Sequence, residues 1–562
     1  MYSGNQLIQL LQKQHQARGN SDLFKQETFT IEWRAKVGSF PHPDLETMIS
    51  AGEPCGNWQQ GQSSNWRPEG KRNVGVNWQE LRTLPLNGYI PGSSIRGLVR
   101  AWASPDIKQR MFELLGNQEN NSITAGKIEF FDAWPTQPTK LTLDIVNPQQ
   151  DFQVYHQGQS TPLSLYTLGD GKTKVDITVA IRGTKNATAE EVNEVWDWVK
   201  QALSLYGVGS RTASGYGSLK PKTSLHLKSD PNVTIKEFDF TLYSQGNAGP
   251  NIQEMEFRPS HWRGWLRSWL LRFFLGVMSQ DNAQKTVGEL MGTLEPETRK
   301  GCVRLEMITG EIWGKVSENN PRFYSWNGKL KVSAPTEILN KIILPIIRFA
   351  VMVGGVGRGW RRPLHIFHMN NDRAAARGSH LILKHRVKKS NSQETEIKLY
   401  GISLNEENWT NNYQSWLDSV RNKWADRIIT APLHSAEVFS PRHCAIYVVP
   451  EPVEEPINRK DFKWDETNAV DTRGLGINLI YQPTYKRKKN VGGDAAGGGN
   501  AHCSWVSIKR VNVPNKQEET NCQEVVCLFL GTENNLRSQF LGELANIDGA
   551  VHLFGVKPNL LL

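Results

Sequence analysis

Two stretches of the chain set arginine, glycine and tryptophan at the same spacing. Tyr89-Ile-Pro-Gly-Ser-Ser-Ile-Arg-Gly-Leu-Val-Arg-Ala-Trp102 and Phe257-Arg-Pro-Ser-His-Trp-Arg-Gly-Trp-Leu-Arg-Ser-Trp269 share the core Arg-Gly-x-x-Arg-x-Trp. Arg96, Gly97, Arg100 and Trp102 thus correspond to Arg263, Gly264, Arg267 and Trp269. Proline and serine ahead of an amphipathic run, here with Ser93 and Ser94, read as a helix start. Free backbone N–H groups at such a start, with arginine one to two turns in, suit a phosphate. The competing reading is a pair of core helices with solvated arginines.

A second kind of anion site is written in glycine. Leu205-Tyr-Gly-Val-Gly-Ser-Arg-Thr-Ala-Ser-Gly-Tyr-Gly-Ser218 is echoed by Gly354-Gly-Val-Gly-Arg-Gly-Trp-Arg-Arg362. Without a Cβ, the backbone of such a loop can bring amide N–H groups and a guanidinium onto a phosphate. The candidates are Gly207, Gly209, Arg211 and Tyr216 in the first loop, and Gly355, Gly357, Arg358, Arg361 and Arg362 in the second. A dinucleotide-binding loop follows a strand and opens a helix. Both loops here follow helical patterns, so no nucleotide cofactor is expected. Between about Gly38 and Asn87, Trp58, Trp66 and Trp78 alternate with Arg67, Lys71 and Arg72. That mixture suits base stacking and phosphate contact, or simply packing against its own domain.

The elements that must position these residues repeat as well. Phe29, Ile31, Trp33, Ala35 and Val37 alternate with polar residues, as Phe238, Phe240 and Leu242 do later, and each pattern predicts a strand with one wet face. Strands are predicted at Lys127–Asp132, Leu141–Val146 and Val175–Ile181. A capping box at Thr188 and Glu191 opens a helix with an apolar stripe through Val192, Val195, Trp196, Val199 and Leu203. In the second copy an apolar run from Ile338 to Val353, which Pro345 should kink or shorten, feeds the second glycine loop. Strand, Arg-Gly helix, then helix and glycine loop occur twice in one order, which points to tandem duplication. The predicted fold class is α+β, a tandem of ferredoxin-like βαββαβ units with glycine-rich loops and an open sheet face. The expected boundaries are 1–228 and 229–562, the latter including a C-terminal extension in which no third copy of the motif is found. That extension holds the basic tract Leu381–Lys389, a helix around Trp416 to Trp424, and a glycine-rich stretch Tyr485–Asn500 expected to be a flexible loop.

The chain has 562 residues, a formal net charge of +10 and a sequence pI near 9.1, a balance that favours a polyanionic partner. No window reaches the roughly 18 apolar residues of a membrane span, and the N-terminus lacks a signal-peptide pattern, so a cytoplasmic protein without a membrane partner is expected. Six cysteines without a Cys-x-x-Cys pair read as reduced thiols. His502 and Cys503, with Cys522 and Cys527, match no common zinc spacing, and no metal or other cofactor is expected.

These paired features resemble the RAMP superfamily of CRISPR effector subunits. Within it, residues from about 29 to 225 look like the sixth Cmr subunit, through Ile90–Gly97, Gly126–Pro135, Leu143–Pro148 and Gly207–Gly217. Residues from about 233 onward look like the first Cmr subunit, through Arg263–Trp269 and Gly354–Arg362, although the second loop ends in Pro363-Leu-His. The resemblance implies RRM-like RAMP domains fused from two neighbouring subunits of a type III-B Cmr complex. It also implies an RNA-binding scaffold that contacts the 3′ region of a CRISPR guide RNA and complementary target RNA. Its other partners would be backbone RAMP and small subunits. Related subunits that cut target RNA carry an aspartate upstream of the Pro-Gly-Ser-Ser helix; the matching position here falls near Asn77, and an amide cannot supply that charge. No catalytic residue is therefore assigned. The alternatives are a target-cleaving, duplicated backbone subunit, and a guide-processing nuclease using His42 or His261.

Overall fold

The computed structural model describes residues 4–37, 39–41, 48–50, 54–57, 85–86, 88–103, 107–119, 122–137, 139–140, 142–145, 163–171, 173–212, 215–222, 232–248, 255–293, 301–309, 314–315, 324–368, 374–388, 394–430, 436–450, 471–494, 502–514, 520–532 and 535–558. The chain forms two compact units: Met1–Ser229 with Asn247–Pro259, and Asp230–Gly246 with Ser260–Leu562.

The first unit is built on strands β1 (Phe24–Ile31), β2 (Ile128–Phe130), β3 (Val175–Gly183) and β4 (Leu219–Pro221). They lie in the order β4-β1-β3-β2, every pairing antiparallel. β1 starts five residues before the alternating pattern suggests and ends at Ile31; Ala35 makes only an isolated bridge to Leu168. Ahead of β1 runs α1 (Gly4–Ala17). Helices α2 (Gly92–Trp102) and α3 (Lys108–Leu115) join β1 to β2, and α4 (Ala189–Leu205) joins β3 to β4. The capping box forms as its sequence dictates, Glu191 N–H donating to Thr188 Oγ1 at 3.3 Å and Thr188 N–H to Glu191 Oε2 at 3.0 Å. Phe29, Ile31, Ile177, Val179 and Ile181 point toward the α4 side, where Phe29 meets Trp196 edge-on. The opposite face, expected to be open, is covered by α1 at Phe24, Thr178 and Ala180. Ile8 packs there, and Thr178 donates to Asn5 at 2.7 Å.

The second unit repeats that strand order. β5 (Val233–Ser244), β6 (Arg304–Thr309), β7 (Tyr324–Pro335) and β8 (His380–Lys388) are arranged β8-β5-β7-β6, again antiparallel, with β9 (Thr395–Leu399) added beyond β8. Helices α5 (Pro259–Leu275) and α6 (Gln280–Met291) lie between β5 and β6. Between β7 and β8 comes a π-helical Ile338–Ile343 followed by α7 (Leu344–Val353). Pro345 sits in the first turn of α7, where its missing N–H costs least, and the wider turn precedes it.

A third sheet completes the second unit, and its topology is one the motifs did not reveal. β10 (Cys444–Pro450), β11 (Val506–Pro514), β12 (Thr520–Phe529) and β13 (Val551–Gly555) take the order β13-β10-β12-β11, all antiparallel. Helix α9 (Leu475–Ile480) separates β10 from β11, and α10 (Asn535–Ala545) separates β12 from β13. Helix α8 (Glu406–Lys423) precedes this sheet and buries Trp409 and Trp416. The stretch after Tyr485 is not a loose loop in its described part. Tyr485 and Val491 are in the core, and Trp505 N–H donates to Val491 O at 2.9 Å.

Candidate nucleic-acid interface

The first Arg-Gly helix begins at a Pro91 N-cap, and its apolar stripe, Ile95 and Val99, is buried. Ser93, Arg96 and Gly97 are exposed, while Ser94 and Arg100 are half-buried. Arg96 makes no hydrogen bond or ion pair among the described residues, and the Arg100 guanidinium lies 5.6 Å from the Phe112 ring. The helix start is not fully open, however. Asp132 Oδ1 accepts from Gly92 N–H at 2.8 Å, placing a carboxylate of the protein where an anion would sit. The third sheet does the same with Glu524, whose Oε2 accepts from Gly476 and Ile477 N–H at 2.8 and 3.1 Å.

In the second copy the arginines have other work. Arg263 donates to the carbonyl of Met291, and Arg267 donates to Gly292 O at 3.1 Å. Both thereby neutralise the C-terminal end of α6, which favours positive charge. Burial, reinforced by the neighbouring Arg267, lowers the Arg263 pKa. The carbonyls that they cap belong to a turn the two copies share. Gly116 after α3 has φ 83° and ψ 158°, and Gly292 after α6 has φ 85° and ψ 156°. Side chains cannot easily take that conformation. Lys127 N–H then donates to Leu114 O, and Val303 N–H to Leu290 O, each at 2.8 Å.

Gly97 and Gly264 set the motif apart from an ordinary core helix. A Cβ on either would meet no atom within 4 Å. Mid-helix glycine costs about 1 kcal/mol relative to alanine, and nothing within the described chain requires it at these two places.

The glycine loops, by contrast, are closed against their own units. Gly217 N–H donates to Arg34 O at 2.7 Å and Val208 N–H to Gly217 O at 2.8 Å. A Cβ on Gly209 would lie 2.7 Å from Val37 and 2.8 Å from Lys36 O. These glycines permit backbone to pack on backbone. Arg211 remains exposed, with φ 59°, in a left-handed conformation unusual for a residue with a side chain. Gly359 takes φ 76° in the second loop. There Gly355 N–H donates to Trp360 O at 2.8 Å, and the Arg358 carbonyl accepts from Ser244 Oγ at 3.2 Å. Arg361 pairs with Glu437 at 2.7 Å, and Arg272 of α5 binds the same carboxylate. Arg362 donates to Val506 O at 2.6 Å and Ser504 Oγ at 2.9 Å, and burial draws its pKa down to about 10. Arg361 and Arg362, expected at a ligand, instead tie the loop to the rest of its unit.

Tyr216 likewise faces inward. Its hydroxyl donates at 2.7 Å to Asp144 Oδ2, the centre of a buried ionic hub. Arg34 approaches Asp144 at 3.1 Å, Lys36 at 2.8 Å and Arg258 at 3.0 Å, while Glu256 binds Arg34 at 2.8 Å and Arg258 at 3.0 Å. Burial opposes the Asp144 charge, but Arg258, Arg34 and Lys36 outweigh it and hold its carboxyl far below the usual range. Burial draws Lys36 down to about 8 despite Asp144. The hub joins the end of β1, the Leu143–Pro148 motif and the glycine loop. Its sequence signal was a lone aspartate in a strand pattern, which does not announce three cationic partners.

Trp58, Trp66, Arg67, Lys71, Arg72, Asn77, Trp78 and His42 lie outside the described residues. His261 is half-buried on α5. Cys503 is exposed and Cys522 and Cys527 are buried on β12; among the described residues no group of three or more His, Cys, Asp or Glu could hold a metal. No helix among the described residues is long and apolar enough to cross a membrane.

Residues 87–220, which span the first Arg-Gly helix and the first glycine loop, match the family model of the RAMP superfamily. No curated protein matches the chain. Among solved structures, a chain of the type III-B Cmr-beta complex bound to cognate target RNA is similar at 18% identity, over 39% of this chain and 64% of that one, with TM-score 0.25. Cmr6 from Pyrococcus furiosus is 18% identical over 36% of this chain and 98% of its own, with TM-score 0.19. Cmr1 from Pyrococcus furiosus in its apo form is 10% identical over 57% of this chain and 99% of its own, with TM-score 0.30. TM-scores of this size do not by themselves establish a common fold.

Proposed function

We propose that the chain is a non-catalytic, RNA-binding structural subunit of a type III CRISPR RNA-guided effector complex, contacting the 3′ part of the guide and the target RNA. The observation that carries this reading is the RAMP superfamily match over residues 87–220. Three strand orders of the βαββαβ kind support tandem ferredoxin-like domains. In the type III-B reading the chain fuses a sixth-Cmr-like and a first-Cmr-like subunit, fixing their stoichiometry and raising their effective concentration for each other. Guide–target pairing reads sequence, and such a subunit holds backbone and shape, as in other RNA-guided effectors.

Ser93, Ser94, Arg96, Arg100 and Arg211 are the residues proposed to meet RNA in the first unit. The exposed, unexplained Gly97 supports close approach of a partner at the same helix. Asn77 in place of a carboxylate supports a subunit without scissile chemistry, working in the cytoplasm beside backbone RAMP and small subunits. The test is to purify the chain from its native cells and sequence the RNA that accompanies it. Short RNAs of repeat-plus-spacer type are expected; a preparation free of nucleic acid, or one holding only unrelated fragments, refutes the proposal.

A further inference from the structure

β8 is the basic tract Leu381–Lys389 seen as a strand, and its two faces differ. Leu381 and Leu383 are buried on the helix side, where Leu383 stands opposite Phe240. Lys384, Arg386 and Lys388 alternate on the other face, all exposed. They form no hydrogen bond or ion pair among the described residues. Their register partners on β9 are Leu399, Ile397 and Thr395, and Ile397 is 58% and Leu399 63% exposed. Two rows therefore run side by side on one face, cations about 6.8 Å apart and aliphatic side chains at the same repeat. Asp239 of β5, opposite Lys384, is the acid in cross-strand register with this row; Arg386 and Lys388 have none.

Protection of a sheet edge does not explain the aliphatic row beside these cations. Edge strands are guarded by charge on the edge itself, and that edge is β9, which presents Ile397 and Leu399 on this face. Lys384 stands one strand further in, and Arg386 and Lys388 lie where β8 pairs with β9 alone. Solubility does not call for two large aliphatic side chains in water beside three unpaired cations.

We infer that this face of β8 and β9 is a binding surface for single-stranded RNA, with Lys384, Arg386 and Lys388 on successive phosphates and Ile397 and Leu399 against base faces. The inference rests on the RNA-binding reading above and adds to it a surface in the second unit, separate from the Arg-Gly helices. Charge complementarity selects the occupant: three unpaired cations at regular spacing match a polyanion of regular repeat. The aliphatic row takes the place of the aromatic platforms that other open sheets offer to bases.

The experiment measures binding of fluorescein-labelled oligouridine to the full chain across a salt series, with ultraviolet crosslinks mapped to peptides. The K384A/R386A/K388A variant should lower affinity and make the log–log salt slope shallower by about 2, since each single-strand phosphate contact contributes about 0.7. The I397S/L399S variant should weaken binding severalfold with the slope unchanged. Melting temperatures should hold in both, because the altered side chains are exposed. Crosslinks within residues 380–399 would support the surface. Wild-type binding with an unchanged slope in the triple variant would overturn the surface and leave the RNA-binding reading standing. Failure of the wild-type chain to bind any oligonucleotide would overturn both. Displacement of the RNA by oligoglutamate of equal charge as readily as by unlabelled RNA would overturn the assignment to RNA in favour of an acidic peptide.

Discussion

The two Arg-Gly helices share a motif and divide in use. In the first, Arg96 reaches solvent and Arg100 rests on Phe112; in the second, Arg263 and Arg267 bond to the last carbonyls of α6. Gly116 after α3 and Gly292 after α6 take nearly the same φ and ψ, while the arginines of the two helices differ in their contacts. A duplicated helix motif can thus leave an arginine in solvent in one copy and use its counterpart as a helix cap in the other. The glycine loops differ in the same manner. The first is anchored through Tyr216 to a buried hub and leaves Arg211 outside, whereas the second is anchored through its own Arg361 and Arg362.

The largest expected effect tests the anchor of the first loop. Asp144→Ala leaves Arg34, Lys36 and Arg258 without their shared carboxylate in a buried site, and should cost about 3–5 kcal/mol in denaturant unfolding. A loss below 1 kcal/mol would show that the hub is not the anchor. Acid should act on the same groups. Asp144 and Glu256 have lowered pKa values in the fold, so their contribution is complete above the ordinary carboxylate range and is lost as pH falls through and below it. The acid-induced loss between pH 6 and pH 3 should therefore shrink in Asp144→Asn.

Next in size, Gly97→Ala and Gly264→Ala should each stabilise the chain by about 0.5–1 kcal/mol, because both helices have room for a methyl group. Only Gly97→Ala is expected to weaken RNA binding, since its helix is the one with an unpaired arginine beside it. Equal binding losses in both would erase the proposed division. At the small end, Asn77→Ala should leave target cleavage by a reconstituted complex unchanged. Loss of one cleavage product, with assembly intact, would make this an enzyme subunit.

Periodicity made much of this legible. Alternating residues foretold β3 and β5, and Thr188 with Glu191 foretold the start of α4. What stayed hidden depends on contacts distant in sequence. Nothing near Arg362 announces that Val506 and Ser504 will receive its hydrogen bonds, nor does Asp144 foretell Arg258. The third sheet was missed because its helices do not carry the Arg-Gly core, although its strands take the same order. The open face expected of the first sheet disappears under α1, a helix whose Ile8 gave no sign of where it would pack.

Charge reversal at the two matched arginines separates their roles most directly. Salt-dependent RNA binding and thermal stability should be measured together for Arg96→Glu and Arg263→Glu. Arg96→Glu should weaken binding irrespective of RNA sequence and make the log–log salt slope shallower by about 0.7 or more, with an unchanged melting temperature. Arg263→Glu should retain the slope and lose about 1–2 kcal/mol of stability as the end of α6 meets a negative charge. The reverse outcome, an unaltered slope for Arg96→Glu and a reduced one for a stable Arg263→Glu, would contradict the division of roles on which the account rests.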